Sequence, residues 1–272
     1  MEYYNQEQVQ NALNETYAFI EIAQDNNCLY LTLNRPEKKN ALHPQMVNEM
    51  AFALTYAKYE KSVWFVVLQA NGDYFCSGAD LKAFVGMTGE FNSSIPEPTS
   101  QVLIAELLKK VYKPIITKLH GDIMAGGLFF LSGSQYVIAN KNVHLGLPEV
   151  KRGLFPFQVM ASLMEVLPKR TVLDWCISGK NIDAKTAHEW GLITDLVEPN
   201  DLENKVNDLI AELAQNSPKA ISLGLEAYDT IFPSAERHAY LMGMLQKAAS
   251  SKDGMEGMMA FREKRKPVWR GE

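Results

Sequence analysis

Six apolar residues follow one another in Val63-Trp64-Phe65-Val66-Val67-Leu68, and this run constrains the fold more than any other stretch of the chain. It is of strand length and rich in β-branched and aromatic side chains, so it reads as a strand buried on both faces. The chain around it alternates strand and helix. Residues 19–23 and 28–33 read as two strands around Asp25-Asn26-Asn27, a turn-forming trio that suits a hairpin. A loop over 34–40 leads to Pro44, a favoured first helical residue, and Met46, Met50, Leu54 and Ala57 carry helical spacing to about residue 58. After the central run come the turn Asn71-Gly72-Asp73, a short strand, and a stretch over 86–100 with Gly, Ser, Pro and Asn that is expected to be a mobile loop. A helix over 101–112, a strand over 115–119, a glycine loop over 121–127, an apolar helix from Gly127 and a strand over 136–139 follow; from about Pro156 the pattern is mostly helical.

Strands alternating with helices to about residue 150 argue an α/β fold, with the helix-rich remainder left for capping or assembly. No fixed-period repeat or low-complexity linker divides the chain. Residues 1–200 are therefore expected to form the core, its first 17 residues a polar N-terminal arm, with 201–272 as a helical C-terminal region.

Composition excludes several function classes. The chain has 272 residues, 47% of them hydrophobic and 22% charged, too apolar for intrinsic disorder. Its purely apolar runs, such as Leu128-Phe129-Phe130-Leu131, fall far short of the ~20 residues a membrane span needs. A net charge of −5 gives no global attraction to nucleic acid or an anionic membrane. Cys28, Cys76 and Cys176 are widely spaced without a CxxC pattern, so buried, reduced thiols are expected rather than disulfides or a zinc site. The N-terminus lacks the basic and apolar regions of a signal peptide, and a cytoplasmic location is the expectation.

Three segments carry candidate chemistry. Phe75-Cys76-Ser77-Gly78-Ala79-Asp80-Leu81-Lys82 puts small residues at a strand-to-helix turn, where a ligand can approach the backbone and N–H groups are free. His120-Gly121-Asp122-Ile123-Met124-Ala125-Gly126-Gly127-Leu128 is a second strand, glycine turn and helix start, which favours negative charge. Two such donors aimed at one point would form an oxyanion hole for an enolate. Neither segment matches the phosphate loop or the dinucleotide fingerprint. In Gly146-Leu147-Pro148-Glu149-Val150-Lys151-Arg152-Gly153, Glu149 stands among apolar neighbours that could raise its pKa toward proton-transfer range. The competing reading is an exposed glutamate paired with Lys151 or Arg152.

In this order the segments resemble the crotonase family, the enoyl-CoA hydratases and isomerases. The likeness runs over residues 20–197 through Leu33-Asn34-Arg35-Pro36, Asn40-Ala41-Leu42, Ser77-Gly78-Ala79-Asp80-Leu81, Ala125-Gly126-Gly127, Pro148-Glu149-Val150 and Gly179-Lys180-Asn181-Ile182-Asp183-Ala184. A weaker echo is Phe261-Arg262-Glu263-Lys264-Arg265-Lys266-Pro267. The resemblance implies a spiral of ββα units with a helical C-terminal assembly region, and a homotrimer or a hexamer. It implies coenzyme A thioester substrates, no metal, and no cofactor beyond the coenzyme A of the substrate. It assigns the hole to the N–H groups of Ala79 and Gly126 and the acid–base role to Glu149. Substrate contacts are expected from Lys38, Ala41, Ser77, Gly78, Asp80, Leu81, Lys82, Gly127, Phe129 and Phe155, with Lys39 and Lys264 as further candidates for the coenzyme A charges.

One departure sets the expected reaction. Family hydratases resembling crotonase carry a second glutamate in the helix after the glycine turn, where this chain has Phe129. Moving a double bond from the 3- to the 2-position needs one base only, so an isomerase is favoured. A hydratase recruiting another acid, and a non-catalytic acyl-CoA-binding protein, are the alternatives. Asp122 has two open uses, capping the helix locally or entering the pocket as a second acid.

Overall fold

Asn26, with φ of 50°, turns the chain between β1 (Ile20–Asp25) and β2 (Cys28–Leu33), which pair antiparallel with Asp25 opposite Cys28. The hairpin is the first feature of a computed structural model that describes residues 3–84, 86, 87, 89–231 and 235–268. Eight further strands come in successive pairs: β3 (Phe65–Ala70) with β4 (Tyr74–Cys76), β5 (Ile115–Leu119) with β6 (Asp122–Met124), β7 (Tyr136–Asn140) with β8 (His144–Gly146), and β9 (Asn181–Asp183) with β10 (Asp195–Val197). Each pair gives one strand to a six-stranded sheet, β1-β2-β3-β5-β7-β10, and one to a four-stranded sheet, β4-β6-β8-β9. Pairing is parallel except at β1/β2 and β8/β9. The chain is therefore an α/β spiral of repeated ββα turns.

The six-stranded sheet is covered on both sides, which is why its strands are apolar without alternation. Val66 and Leu68 face a large cluster with Leu29, Leu31, Met46, Met50 and Leu54. Phe65 and Val67 face a second cluster with Ile116, Ile138 and the residues Leu202 and Val206 of α9 (Leu202–Leu213). The central strand starts two residues later than the apolar run, because the Val63 N–H closes a turn onto the Glu60 carbonyl at 3.2 Å.

Helices fill the turns of the spiral. The short α1 (Gln6–Val9) and the long α2 (Pro44–Tyr59) pack on each other, and α3 (Leu81–Phe84), α4 (Ile104–Lys109) and α5 (Leu128–Ser132) are brief. Then come α6 (Phe157–Leu163), α7 (Lys169–Ser178) and α8 (Ala184–Trp190); beyond β10 the described chain is helical, with α9, α10 (Pro218–Ile231), α11 (Ala235–Ala249) and α12 (Lys252–Glu263). α2 is buried along most of its length, including Glu49, whose carboxylate accepts from the N–H groups of Ala18 at 2.8 Å and Phe19 at 2.9 Å. These charge-assisted bonds compensate the burial of that carboxylate and fix the entry into β1.

Several expectations need correction. The stretch over 86–100 is not simply mobile, because its later part is fastened by the N-terminal arm. Tyr3 and Tyr4 are buried, and Tyr4 Oη donates to the Pro96 carbonyl at 2.9 Å. The Leu103 N–H donates to Tyr3 Oη at 3.0 Å, the Thr99 N–H to the Tyr3 carbonyl at 3.1 Å, and Ile95 enters the main core. The expected helix over 101–112 shrinks to α4, since Tyr112 sits at φ +55° and Pro114 follows. Strands β9 and β10, three residues each, interrupt the stretch read as helical. The cysteines are as expected: all three are free and buried.

Candidate active site

The three segments singled out in the sequence leave the C-terminal ends of three neighbouring parallel strands. Ser77-Gly78-Ala79 follows β4, Ala125-Gly126-Gly127 follows β6, and Glu149 follows β8, with β6 between the other two. Side-by-side parallel strands deliver their outgoing loops to one edge, the common location of ligand sites in such sheets.

The first loop is held open by the chain before α2. Leu42 donates its N–H to the Gly78 carbonyl at 2.8 Å and accepts from the Asp80 N–H at 3.1 Å, a parallel bridge centred on Ala79. In that pattern the Ala79 N–H faces away from Leu42. Gly78 has φ +91°, and a methyl group on it would lie 2.7 Å from Ala125 Cβ and 3.3 Å from the Gly126 nitrogen. Only glycine lets the two turns approach this closely. Gly126 is the second residue of a 3-10 turn over Ala125–Gly127, so its N–H has no acceptor within that turn. Its Cα side faces Ala79, whose nitrogen would be 3.8 Å from a methyl placed there. The two turns thus bring Gly126 and the Ala79 nitrogen close together, as a shared oxyanion site would require. Ala125 holds φ +52°, an unusual conformation for a residue with a Cβ, and a position where backbone strain accompanies the turn.

Glu149 stands in a 3-10 turn, Pro148–Arg152, which ends at Gly153 in the left-handed region. Its Oε2 is buried with no hydrogen-bond partner. Burial pushes the carboxyl up from 4.5 to about 7, with the Arg152 charge acting in the opposite direction. An exposed glutamate paired with Lys151 or Arg152 is not what the structure shows, since no such ion pair forms among the described residues. The neighbouring Cys176 thiol on α7 is pushed up to about 12 by its own burial and by the Glu149 charge. A carboxyl poised near neutrality can both take and return a proton.

The remaining candidates fall in distinct places. Phe129 lines the Gly126 turn, its ring 3.9 Å from the methyl position of Gly126. Gly127 packs against β4 and β6, where a Cβ would meet Ile123 at 2.9 Å and Cys76 at 3.0 Å. Phe155 packs at a tilt against Phe157, ring centres 5.1 Å apart, shortly after the Glu149 turn. Ser77 donates its N–H to the Lys39 carbonyl at 3.0 Å. Lys38, Leu81 and Lys82 are exposed, Lys39 lies 4.2 Å over the Tyr74 ring, and Lys264 ends α12 at φ +54°. Asp80 uses both carboxylate oxygens inside the protein: Oδ2 accepts from Arg35 Nη1 at 2.7 Å, and Oδ1 from the N–H groups of Lys82 at 3.1 Å and Ala83 at 3.3 Å. Arg35 also reaches the Ala41 carbonyl at 3.3 Å.

Asp122 meets neither of its expected uses. It opens β6 rather than a helix, and Oδ1 accepts from the His144 N–H of β8 at 2.8 Å. It latches the register of two strands at the end away from the Gly126 turn. Sequence reasoning passed over Arg35 as a bracket for the first loop, and over His43, which caps α2 through Nδ1 at 3.1 Å and packs against Phe19 and Phe91. Burial and Arg35 hold the imidazole below its ordinary pKa, consistent with an accepting, neutral ring.

Two glycine turns and a carboxyl with a raised pKa thus follow neighbouring strands at one end of an α/β spiral. The chain belongs to the enoyl-CoA hydratase/isomerase family, whose model matches residues 23–272. It is thereby an enzyme of the crotonase type. It is 30% identical over 247 residues to the mevalonyl-coenzyme A hydratase of Aspergillus fumigatus, covering 89% of this chain and 91% of that protein. Against the carnitinyl-CoA dehydratase of Escherichia coli K12 identity is 28% over 260 residues, covering 93% and 98%. Among solved structures, a carnitinyl-CoA hydratase from Mycobacterium avium superposes with a TM-score of 0.83 at 27% identity, over 94% of this chain and 100% of that one.

Proposed function

We propose that the protein shifts the double bond of a 3-enoyl-CoA to the 2-position, using Glu149 as the single proton carrier. The thioester oxygen accepts hydrogen bonds from the N–H groups of Ala79 and Gly126. The Glu149 carboxylate removes a proton from C2, and the electron pair moves into a dienolate whose negative charge rests on the held oxygen. The protonated Glu149 then delivers that proton to C4, leaving the double bond between C2 and C3. Proton and electrons balance without water or any further cofactor. Each hole donor is worth ~3–4 kcal/mol to such a step, and the positioned base 10²–10⁴-fold.

The observation that carries this reading is a buried carboxylate oxygen left without a partner at Glu149, while the helix after the glycine turn carries Phe129, whose ring lies against the Gly126 position. A phenyl ring cannot orient water or donate a proton. The relatives named as hydratases and dehydratases favour a second reading, water addition to a 2-enoyl-CoA or its reverse, with the second acid drawn from another residue. Purified protein supplied separately with a trans-3-enoyl-CoA and a trans-2-enoyl-CoA separates the two. Isomerisation of the first with slow or no hydration of the second is expected; fast hydration of the second with no shift of the first overturns the proposal. The rate should rise with pH through about 7 as Glu149 ionises, because the carboxylate is the form that starts the reaction.

A further inference from the structure

We infer that Phe261 of α12 is a positioning residue for Glu149: its ring holds the Arg152 guanidinium beside the carboxylate yet short of an ion pair, so that Glu149 stays available as a base. The inference rests on Glu149 being the proton carrier. It starts from the shape of the turn. Glu149 and Arg152 are three residues apart in a 3-10 turn, where side chains at that spacing eclipse one another. Left alone, a half-buried guanidinium so placed would fold onto the carboxylate and neutralise it. Instead the guanidinium carbon sits 4.4 Å from the centre of the Phe261 ring, within cation–π range. Glu149 still feels the positive charge, but its Oε2 has no hydrogen-bond partner.

The approach of α12 is set by backbone contact rather than by long side chains. A methyl on Gly257 would collide with the Arg152 carbonyl oxygen, and one on Gly153 with the Asp253 carbonyl oxygen. Contact this tight fixes where the Phe261 ring can stand relative to the Glu149 turn. The charged and titratable groups around the turn begin with its own Lys151 and Arg152. α7 carries Lys169, Arg170, Asp174 and Cys176, and α12 carries Lys252, Asp253, Glu256, Arg262 and Glu263, of which Glu256 pairs with Arg265 at 2.6 Å. Lys180, just beyond α7, pairs with Asp174 at 2.7 Å. Among these, Arg152 is the cation that bears on Glu149. Phe261 is 53% exposed, so trimming its ring should leave the fold intact.

The test follows the Glu149 carboxyl directly, by carbon-13 NMR titration of the full-length protein labelled at glutamate side-chain carboxyls, with E149Q assigning the resonance. F261A and F261L should both lower the Glu149 midpoint by about one pH unit, a ~tenfold change in proton affinity, because Arg152 is released onto the carboxylate. R152Q should raise it by a similar amount, and F261Y, which keeps the ring face, should leave it in place. An unchanged or raised midpoint in F261A and F261L overturns the inference. The titration is independent of turnover: a shifted midpoint in a protein that fails to isomerise 3-enoyl-CoA would keep this inference and sink the proposed reaction instead.

Discussion

At Glu149 the chain keeps a carboxyl where folding would prefer none. Its proton affinity is raised by burial from 4.5 to about 7, and this has a stability consequence with a definite sign. Below about pH 4.5 the carboxyl is protonated in both folded and unfolded chains and imposes no penalty. Between 4.5 and 7 the unfolded chain releases its proton first, so the folded state loses stability as pH rises, with the loss complete above about 7. At 1.36 kcal/mol per pH unit the full effect is at most ~3.4 kcal/mol. E149Q should therefore melt higher than the parent at pH 8 and close to it at pH 4, while losing 10²–10⁴-fold in rate. Thermal unfolding at the two pH values checks the first part; equal melting at pH 8 would mean that the carboxyl is solvated. The three buried thiols carry no comparable tension, since burial simply keeps them protonated.

Among the elements, the two glycine turns behave as one unit. Gly78→Ala would press a methyl to 2.7 Å from Ala125 Cβ at φ +91°, forcing the turns apart. The expected result is a ~10²-fold or greater loss of kcat with a stability cost of about 1–3 kcal/mol; a variant with parental kcat would show that the two amides need not converge. The N-terminal arm makes a second coupled pair with the segment before α4. Y3A/Y4A removes two buried rings and the bonds to Pro96 and Leu103, at ~3–5 kcal/mol per ring, and should speed amide hydrogen exchange at 94–103. Which elements could be read in advance follows from the range of the interactions that specify them. The hairpin at Asn26, the helix behind Pro44 and the glycine turns are set by neighbouring residues, and their positions were legible. Glu149 stands out in the sequence as a carboxylate among apolar neighbours, but the sequence leaves open whether it is buried or paired with Lys151 or Arg152; its burial is set by contacts beyond the local segment. The docking of Tyr3 onto Leu103, 100 residues away, and the Arg35–Asp80 bracket, 45 residues apart, leave no local pattern. Strands β9 and β10 are too short to show a period, and Asp122 looked like a helix cap because its true partner, His144, lies across a strand pair.

At the scale of the molecule, the spiral brings the candidate-site segments to one end of the four-stranded sheet while the six-stranded sheet, covered on both faces, supplies the core. Ile177, Tyr228, Ile231 and Met255 remain more than half exposed, apolar surface that suits association of copies. The account expects a trimer or hexamer in sedimentation equilibrium; a monomer at micromolar concentration would contradict that expectation. A crystal structure with a bound short-chain acyl-CoA would show the reacting centre itself. The account predicts the thioester oxygen ~3 Å from both the Ala79 and Gly126 nitrogens, with a Glu149 oxygen against the adjacent carbon. A thioester seated elsewhere, or a Glu149 carboxylate turned into solvent beside a correctly placed thioester, would contradict it.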